Sequence, residues 1–240
     1  MASLRRIHNG IAIVVLTVLT GAALASPAPA GSDNEEYRFK VFLDGDPIGY
    51  HHYQVRREGT QKVVESNARF DVKFLFVNVY SYLHDTTEVW QGNCLTQIDA
   101  RTDDNGDDYF VRGSLTRDAF ALATHDGTAS LPTCVMTFSY WNPDFLGQTQ
   151  LLNAQTGEYL PVRISAQGTD TMSVNGRLVE CNRYRLTARE VDITLWYESA
   201  SGQWAALESK TPGGHVVRYE KVSPLRPVQA SASKAGPVEL

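Results

Sequence analysis

From Tyr37 onward the chain alternates. In EYRFKVFL, Tyr37, Phe39, Val41 and Leu43 fall on one face and Arg38 and Lys40 on the other, the period of two that marks a half-buried strand. The turn DGDPIG interrupts it, and YHHYQVRRE returns as an antiparallel partner. A longer β-rich stretch runs from Val63 to Trp90, where Ala68, Phe70, Val72, Phe74 and Phe76 share one face and Arg69, Asp71 and Lys73 the other. Continuous pairing over that length needs a strongly curved sheet or a bulge near Asn78. Further strands are predicted at 95–102, 109–115, 119–124, 159–166, 171–174, 177–188, 192–198, 204–210 and 216–222. Turn pairs join them: Asn105-Gly106, Asp126-Gly127, Asn175-Gly176, Ser201-Gly202 and Gly213-Gly214. With no helical pattern between the hairpins, Rossmann, TIM-barrel and α/β-hydrolase architectures are excluded. The expected fold is all-β, a strongly curved antiparallel sheet forming a half-barrel or open barrel.

One segment breaks the meander. Residues 131–158, LPTCVMTFSYWNPDFLGQTQLLNAQTGE, show neither clean alternation nor tight-turn spacing, and a short helix with a long loop is expected there. Met136, Phe138, Tyr140, Trp141 and Phe145 make it unusually apolar. It reads either as a plug sealing one end of the sheet or as a lid over a ligand.

The stretch most suggestive of a metal site is TDDNGDDYFV, 102–111. Read as a two-residue Asn-Gly hairpin, it sets Asp104 opposite Asp107 and Asp103 opposite Asp108. Alternation then sends the two pairs to opposite sides of the ribbon, so the carboxylates do not converge on a cation. The stretch pins a hairpin and does not build a calcium loop.

Composition changes the picture mainly at the ends. MASLRRIHNG is basic, an apolar run follows from Ile11, and Ala23-Leu24-Ala25 closes it, the three parts of a secretory signal peptide. Domain limits are accordingly expected at 1–25 (signal peptide), 26–36 (disordered), 37–223 (one β domain) and 224–240 (disordered tail rich in Pro, Ala and Ser). Removing Arg5 and Arg6 with the leader takes the formal charge from −5 to −7. A chain this acidic with no basic cluster argues against nucleic acid as a partner, and no later stretch is apolar enough to span a bilayer. A periplasmic or secreted protein is therefore expected. Cys94, Cys134 and Cys181 are an odd count for an oxidising compartment, so at most one internal disulfide forms. Cys94 with Cys134, both at strand or loop edges, is one reading; three buried free thiols is the other.

Catalytic and cofactor signatures are not found: there is no G-x-S-x-G, H-E-x-x-H, G-x-x-x-x-G-K or G-x-G-x-x-G, and no catalytic residue, metal ligand or cofactor is assigned. His51 and His52 are strand neighbours and point to opposite faces. His84 and Glu88 share a face but stand roughly 13 Å apart along a strand. Aromatics are plentiful, and large rings on a curved sheet can line a groove for an apolar or amphiphilic guest. Phe70, Phe74, Phe76, Tyr80, Tyr82, Trp90, Trp141 and Trp196 are the candidate lining residues.

Three stretches together carry a family likeness: FKVFLDGDPIGYHHYQV, ARFDVKFLFVNVYSYLHDTTEVWQGNCLTQIDARTDDNG and VNGRLVECNRYRLTAREVDITLWYES. They resemble an exported bacterial family of unknown function over most of the chain, from about Tyr37 to Val222, and are distantly similar to the LolA and LolB half-barrel lipoprotein carriers. The resemblance implies a curved antiparallel sheet around a hydrophobic cavity, although two clear amphipathic helices to close it are lacking. No functional residue is carried over. The leading expectation is a non-catalytic protein binding a lipid or acyl chain in the concave face. An envelope interaction module presenting a sheet edge comes second, and a hydrolase grouping His84, Asp85 and Glu88 with a serine comes third.

Overall fold

A computed structural model describes residues 34–74, 77–211 and 213–222. The expected leader, the tail and Phe76 lie outside the described residues. Among the described residues fifteen strands follow one another: β1 (Asn34–Leu43), β2 (Asp46–Glu58), β3 (Gln61–Phe74), β4 (Val77–Gln91), β5 (Cys94–Asp104), β6 (Asp107–Leu115), β7 (Phe120–Thr124), β8 (Gly127–Leu131), β9 (Gln150–Leu152), β10 (Tyr159–Pro161), β11 (Arg163–Val174), β12 (Arg177–Ala188), β13 (Val191–Glu198), β14 (Trp204–Lys210) and β15 (Val216–Lys221). Thirteen of them form one antiparallel sheet in the order β11-β12-β13-β14-β15-β1-β2-β3-β4-β5-β6-β7-β8, while β9 and β10 pair separately. The meander is thus hairpin after hairpin, joined at its middle where β15 pairs with β1. β1 starts at Asn34, inside the stretch expected to be unstructured, because Asn34–Glu36 pair with Gln54–Arg56 of β2.

The sheet curls without closing. In a flat sheet β13 and β4 would lie roughly 29 Å apart, six steps at about 4.8 Å each. Yet Ile193 of β13 and His84 of β4 line one cavity, so the sheet wraps around its concave side. The long stretch from Val63 to Trp90 resolves into two antiparallel strands, β3 and β4, with Phe74 opposite Val77. The bulge expected near Asn78 is present: Val72 faces Tyr80 and Lys73 faces Asn78, leaving Val79 unpaired. The acidic hairpin has the register read from its turn, Asp104 opposite Asp107 and Asp103 opposite Asp108, with Asn105 and Gly106 both at positive φ.

One end of the concave side is filled. Trp204, fully buried, packs on Phe39 at 4.1 Å between ring centroids and also meets Tyr53, Tyr140 and Tyr219. The segment after β8 reaches into this core. It carries a 3-10 helix, Pro143–Gly147, whose N-cap Asn142 accepts a hydrogen bond from the Asp144 amide. Val135, Met136, Trp141, Phe145, Leu151 and Leu152 are buried. The segment is tied to β5 by Leu95 N–H donating to Val135 O (3.0 Å) and to β13 by Tyr197 OH donating to Tyr140 O (2.8 Å). Cys94 is disulfide-bonded to Cys134, pinning the same segment to the start of β5, and Cys181 is a buried free thiol.

Gly49 shows how tightly β2 and β3 approach. A Cβ there would lie 1.9 Å from the backbone oxygen of Arg69, an atom held in the sheet. Gly49→Ala is expected to cost roughly 1–3 kcal/mol or more, read as a lower urea midpoint at unchanged slope.

Candidate functional site

Beside the filled core the concave side holds a cavity of about 220 Å³. Its floor comes from three adjacent strands. β2 supplies His51 and Tyr53, β3 supplies Val64 and Ser66, and β4 supplies Tyr82, His84, Thr86 and Glu88. The last four alternate along β4 in phase with the core residue Trp90, which is why a polar ladder faces inward. The segment after β8 forms one wall, with Thr137–Tyr140 and Asn153–Gln155, and Val191 and Ile193 at the start of β13 form another. That segment is therefore both plug and cavity wall.

The floor is hydrogen-bonded throughout. His51 Nε2 is 2.8 Å from Ser66 Oγ and its Nδ1 is 3.3 Å from Tyr219 OH. His84 lies between two threonines, its Nδ1 2.8 Å from Thr102 Oγ1 and its Nε2 2.7 Å from Thr86 Oγ1. Burial holds both imidazoles toward the neutral form, His84 at about 4 and His51 well below the ordinary histidine value, the latter also disfavoured by the neighbouring His84 and His52. Glu88 Oε2 accepts from Trp90 Nε1 (3.0 Å) and from Ser139 Oγ (3.4 Å), and Ser139 is closely hydrogen-bonded to Thr137. Burial pushes the Glu88 carboxyl up to about 7, against the opposing effect of hydrogen bonds from Thr137, Trp90 and Ser139. At the rim Gln155 accepts from Tyr82 OH and donates to Asp104, which also accepts from Tyr80 OH.

Of the candidate lining residues, Tyr82 lines the cavity. Phe70 stacks on Tyr82 at 5.3 Å, and Tyr80 is held at the rim by Asp104. Trp90 and Trp141 are core, packed edge to face at 5.7 Å; Trp90 reaches the site only as the donor that holds Glu88. The expectation for Trp196 is corrected: alternation along β13 puts Leu195 and Tyr197 inward and Trp196 outward. There it packs with Val174, Cys181 and Ala205, and its Nε1 donates to Asp170. Phe74 ends β3, and Phe76 lies outside the described residues.

The triplet His84, Asp85 and Glu88 does not assemble. Asp85 faces the other side of the sheet, where it pairs with Arg69 at 2.7 Å. His52 likewise points away from His51 and stacks on Tyr50. Ser66 with His51 is a hydroxyl beside an imidazole, but the group orienting that imidazole is a phenol, Tyr219, rather than a carboxylate. Sequence reasoning missed His51, Ser66, Thr86 and Glu88 as a site. The usable signal was H-x-T-x-E-x-W on β4, a polar run in phase with an inward tryptophan.

Among the described residues no helix is long and apolar enough to cross a membrane. The sequence model of a family described as a domain of unknown function, DUF6134, matches residues 39–222. No curated protein matches the chain. Among solved structures, the beta-barrel-like protein of domain of unknown function DUF1849 from Brucella abortus is similar at a TM-score of 0.58 and 11% identity, covering 78% of this chain and 95% of that one. At that identity the likeness is one of fold. A DUF1329 family protein from Desulfovibrio piger matches with a TM-score of 0.21 and 8% identity, covering 80% of this chain and 85% of that one.

Proposed function

Starting from a chain that belongs to the DUF6134 family of domains of unknown function, we propose a non-catalytic protein that binds a small amphiphilic molecule in the concave-face cavity. The observation that supports this reading is a concave-face cavity whose lining mixes buried polar groups, His51, His84 and Glu88, with apolar side chains. A folded chain spends stability on burying His51, His84 and Glu88, and a ligand with a polar head gives those groups a use. Val64, Phe138, Val191 and Ile193 offer the apolar counterpart. A cavity of about 220 Å³ suits a short chain rather than a whole diacyl lipid. The leader-like residues 1–25 support export to the periplasm or beyond, where such a ligand would be met.

Native mass spectrometry of the chain purified from its own compartment tests this. A bound small molecule is expected, and it should be absent from Ile193→Trp, which fills the cavity while circular dichroism remains that of the native sheet. No bound mass in the native chain, or an equal one in the filled variant, would overturn the reading.

A second reading, an envelope interaction module, draws on the open edges β8 and β11. It ranks lower because the ladder of β11 is broken by an irregularity between Ala166 and Thr169, a feature that blunts an edge against pairing.

A further inference from the structure

We propose that the ligand of this cavity carries a protonated amine on a short apolar tail, with Glu88 as its counter-ion. This rests on the binding reading above and adds the charge of the head group.

The chemistry of the lining selects it. The residues around the cavity include two histidines and one carboxyl group but no lysine or arginine. Both ring nitrogens of each histidine are already engaged by hydroxyls, Ser66 and Tyr219 for His51 and Thr102 and Thr86 for His84. Neither imidazole has a ring nitrogen left to donate to an incoming anion. A carboxylate or phosphate head would sit unpaired beside Glu88, and an uncompensated buried charge is strongly unfavourable. Glu88 has the opposite character. Its donors, Trp90, Ser139 and Thr137, use at most three of about four acceptor positions on the carboxylate. An ammonium can take the remaining capacity and satisfy its other protons on Thr137, Ser139 or Thr86 hydroxyls, which line the same space. The rings of Tyr53, Tyr82 and Tyr140 also line the cavity and favour a cation over an anion.

Glu88 has a structural use as well, since it ties the wall residue Ser139 to Trp90 of β4. A glutamine would keep both hydrogen bonds through its carbonyl oxygen, so Glu88→Gln separates the two roles. The probes are hexylammonium, hexanol and hexanoate, three heads on one tail, titrated calorimetrically into the full chain at neutral pH. The native chain is expected to bind hexylammonium more tightly than hexanol by roughly ten- to a hundredfold, the range of a charge-assisted hydrogen bond, and hexanoate least. E88Q should erase the preference for the amine, bringing hexylammonium to within about threefold of hexanol in the same variant. Equal binding of hexanol and hexylammonium, tightest binding of hexanoate, or a preference that survives in E88Q would overturn the charge assignment while leaving the binding site in place. Failure of all three probes would overturn both.

Discussion

Replacing Cys94 and Cys134 together by serine is expected to lower the unfolding free energy by about 4 kcal/mol, the loop-closure value for cysteines 40 positions apart. For a domain of this size that corresponds to a fall in Tm of roughly 8–16 °C. The bond joins the start of β5 to the segment that is both plug and cavity wall, and Val135 next to Cys134 is hydrogen-bonded to Leu95 next to Cys94. Loss of the bond therefore also loosens the wall residues 137–140, and binding in the cavity should weaken with stability. Calorimetric scans of the native chain with and without reductant, beside the double serine variant, check this. A shift smaller than about 2 °C would mean that hydrogen bonds and packing hold the segment without the disulfide.

The second large effect concerns Glu88 and its sign. The carboxyl titrates near 4.5 in an unfolded chain and at about 7 in the folded one. Between those values the folded state holds a proton that the unfolded state has released, so this group's contribution to stability falls as pH rises, by about 3 kcal/mol in all. Glu88→Gln removes that dependence. The variant should match the native chain near pH 4.5 and exceed it by about 3 kcal/mol above pH 7. The buried histidines act in the opposite sense: His84 titrates at about 4 folded and near 6.5 unfolded, so its contribution to stability rises with pH across that window. That rise is common to both chains and drops out of their difference, as does the corresponding one from His51. Urea unfolding at pH 4.5, 6 and 8 provides the measurement, and a stability difference independent of pH would contradict the burial of an ionisable carboxyl at this position.

Strand order and register were readable where local chemistry determines them. Asn105-Gly106 defines a two-residue turn, and the Asp103–Asp108 and Asp104–Asp107 pairs follow from it with no tertiary information. Alternation placed Tyr37, Phe39 and Val41 inward. Alternation alone does not say which face of a strand becomes concave when both faces carry apolar residues. On β13, Leu195 and Tyr197 compete with Trp196, and the side was settled by what the curled sheet brings opposite. The site was hidden for a related reason. His51, Ser66 and His84 lie on three different strands, and they meet only because Ala68 of β3 pairs with His51 on one side and His84 on the other. Along the chain His84 and Glu88 look too far apart to share a metal, which is sound geometry for one ion, but a cavity needs them only to face the same space. Aromatic content alone put Trp90 and Trp141 among the lining residues, where they are core, and the polar positions between Trp90 and Tyr82 were overlooked.

The central claim is that the space bounded by β2, β3, β4 and β13 receives a ligand. An NMR titration of the methyl groups with hexanol tests it most directly. Val64, Val191 and Ile193, which line the cavity, should shift together along one saturating curve, while Val174 and Val179 of the outer cluster beside Trp196 stay still. Shifts confined to the outer cluster, or none at saturating hexanol, would contradict it.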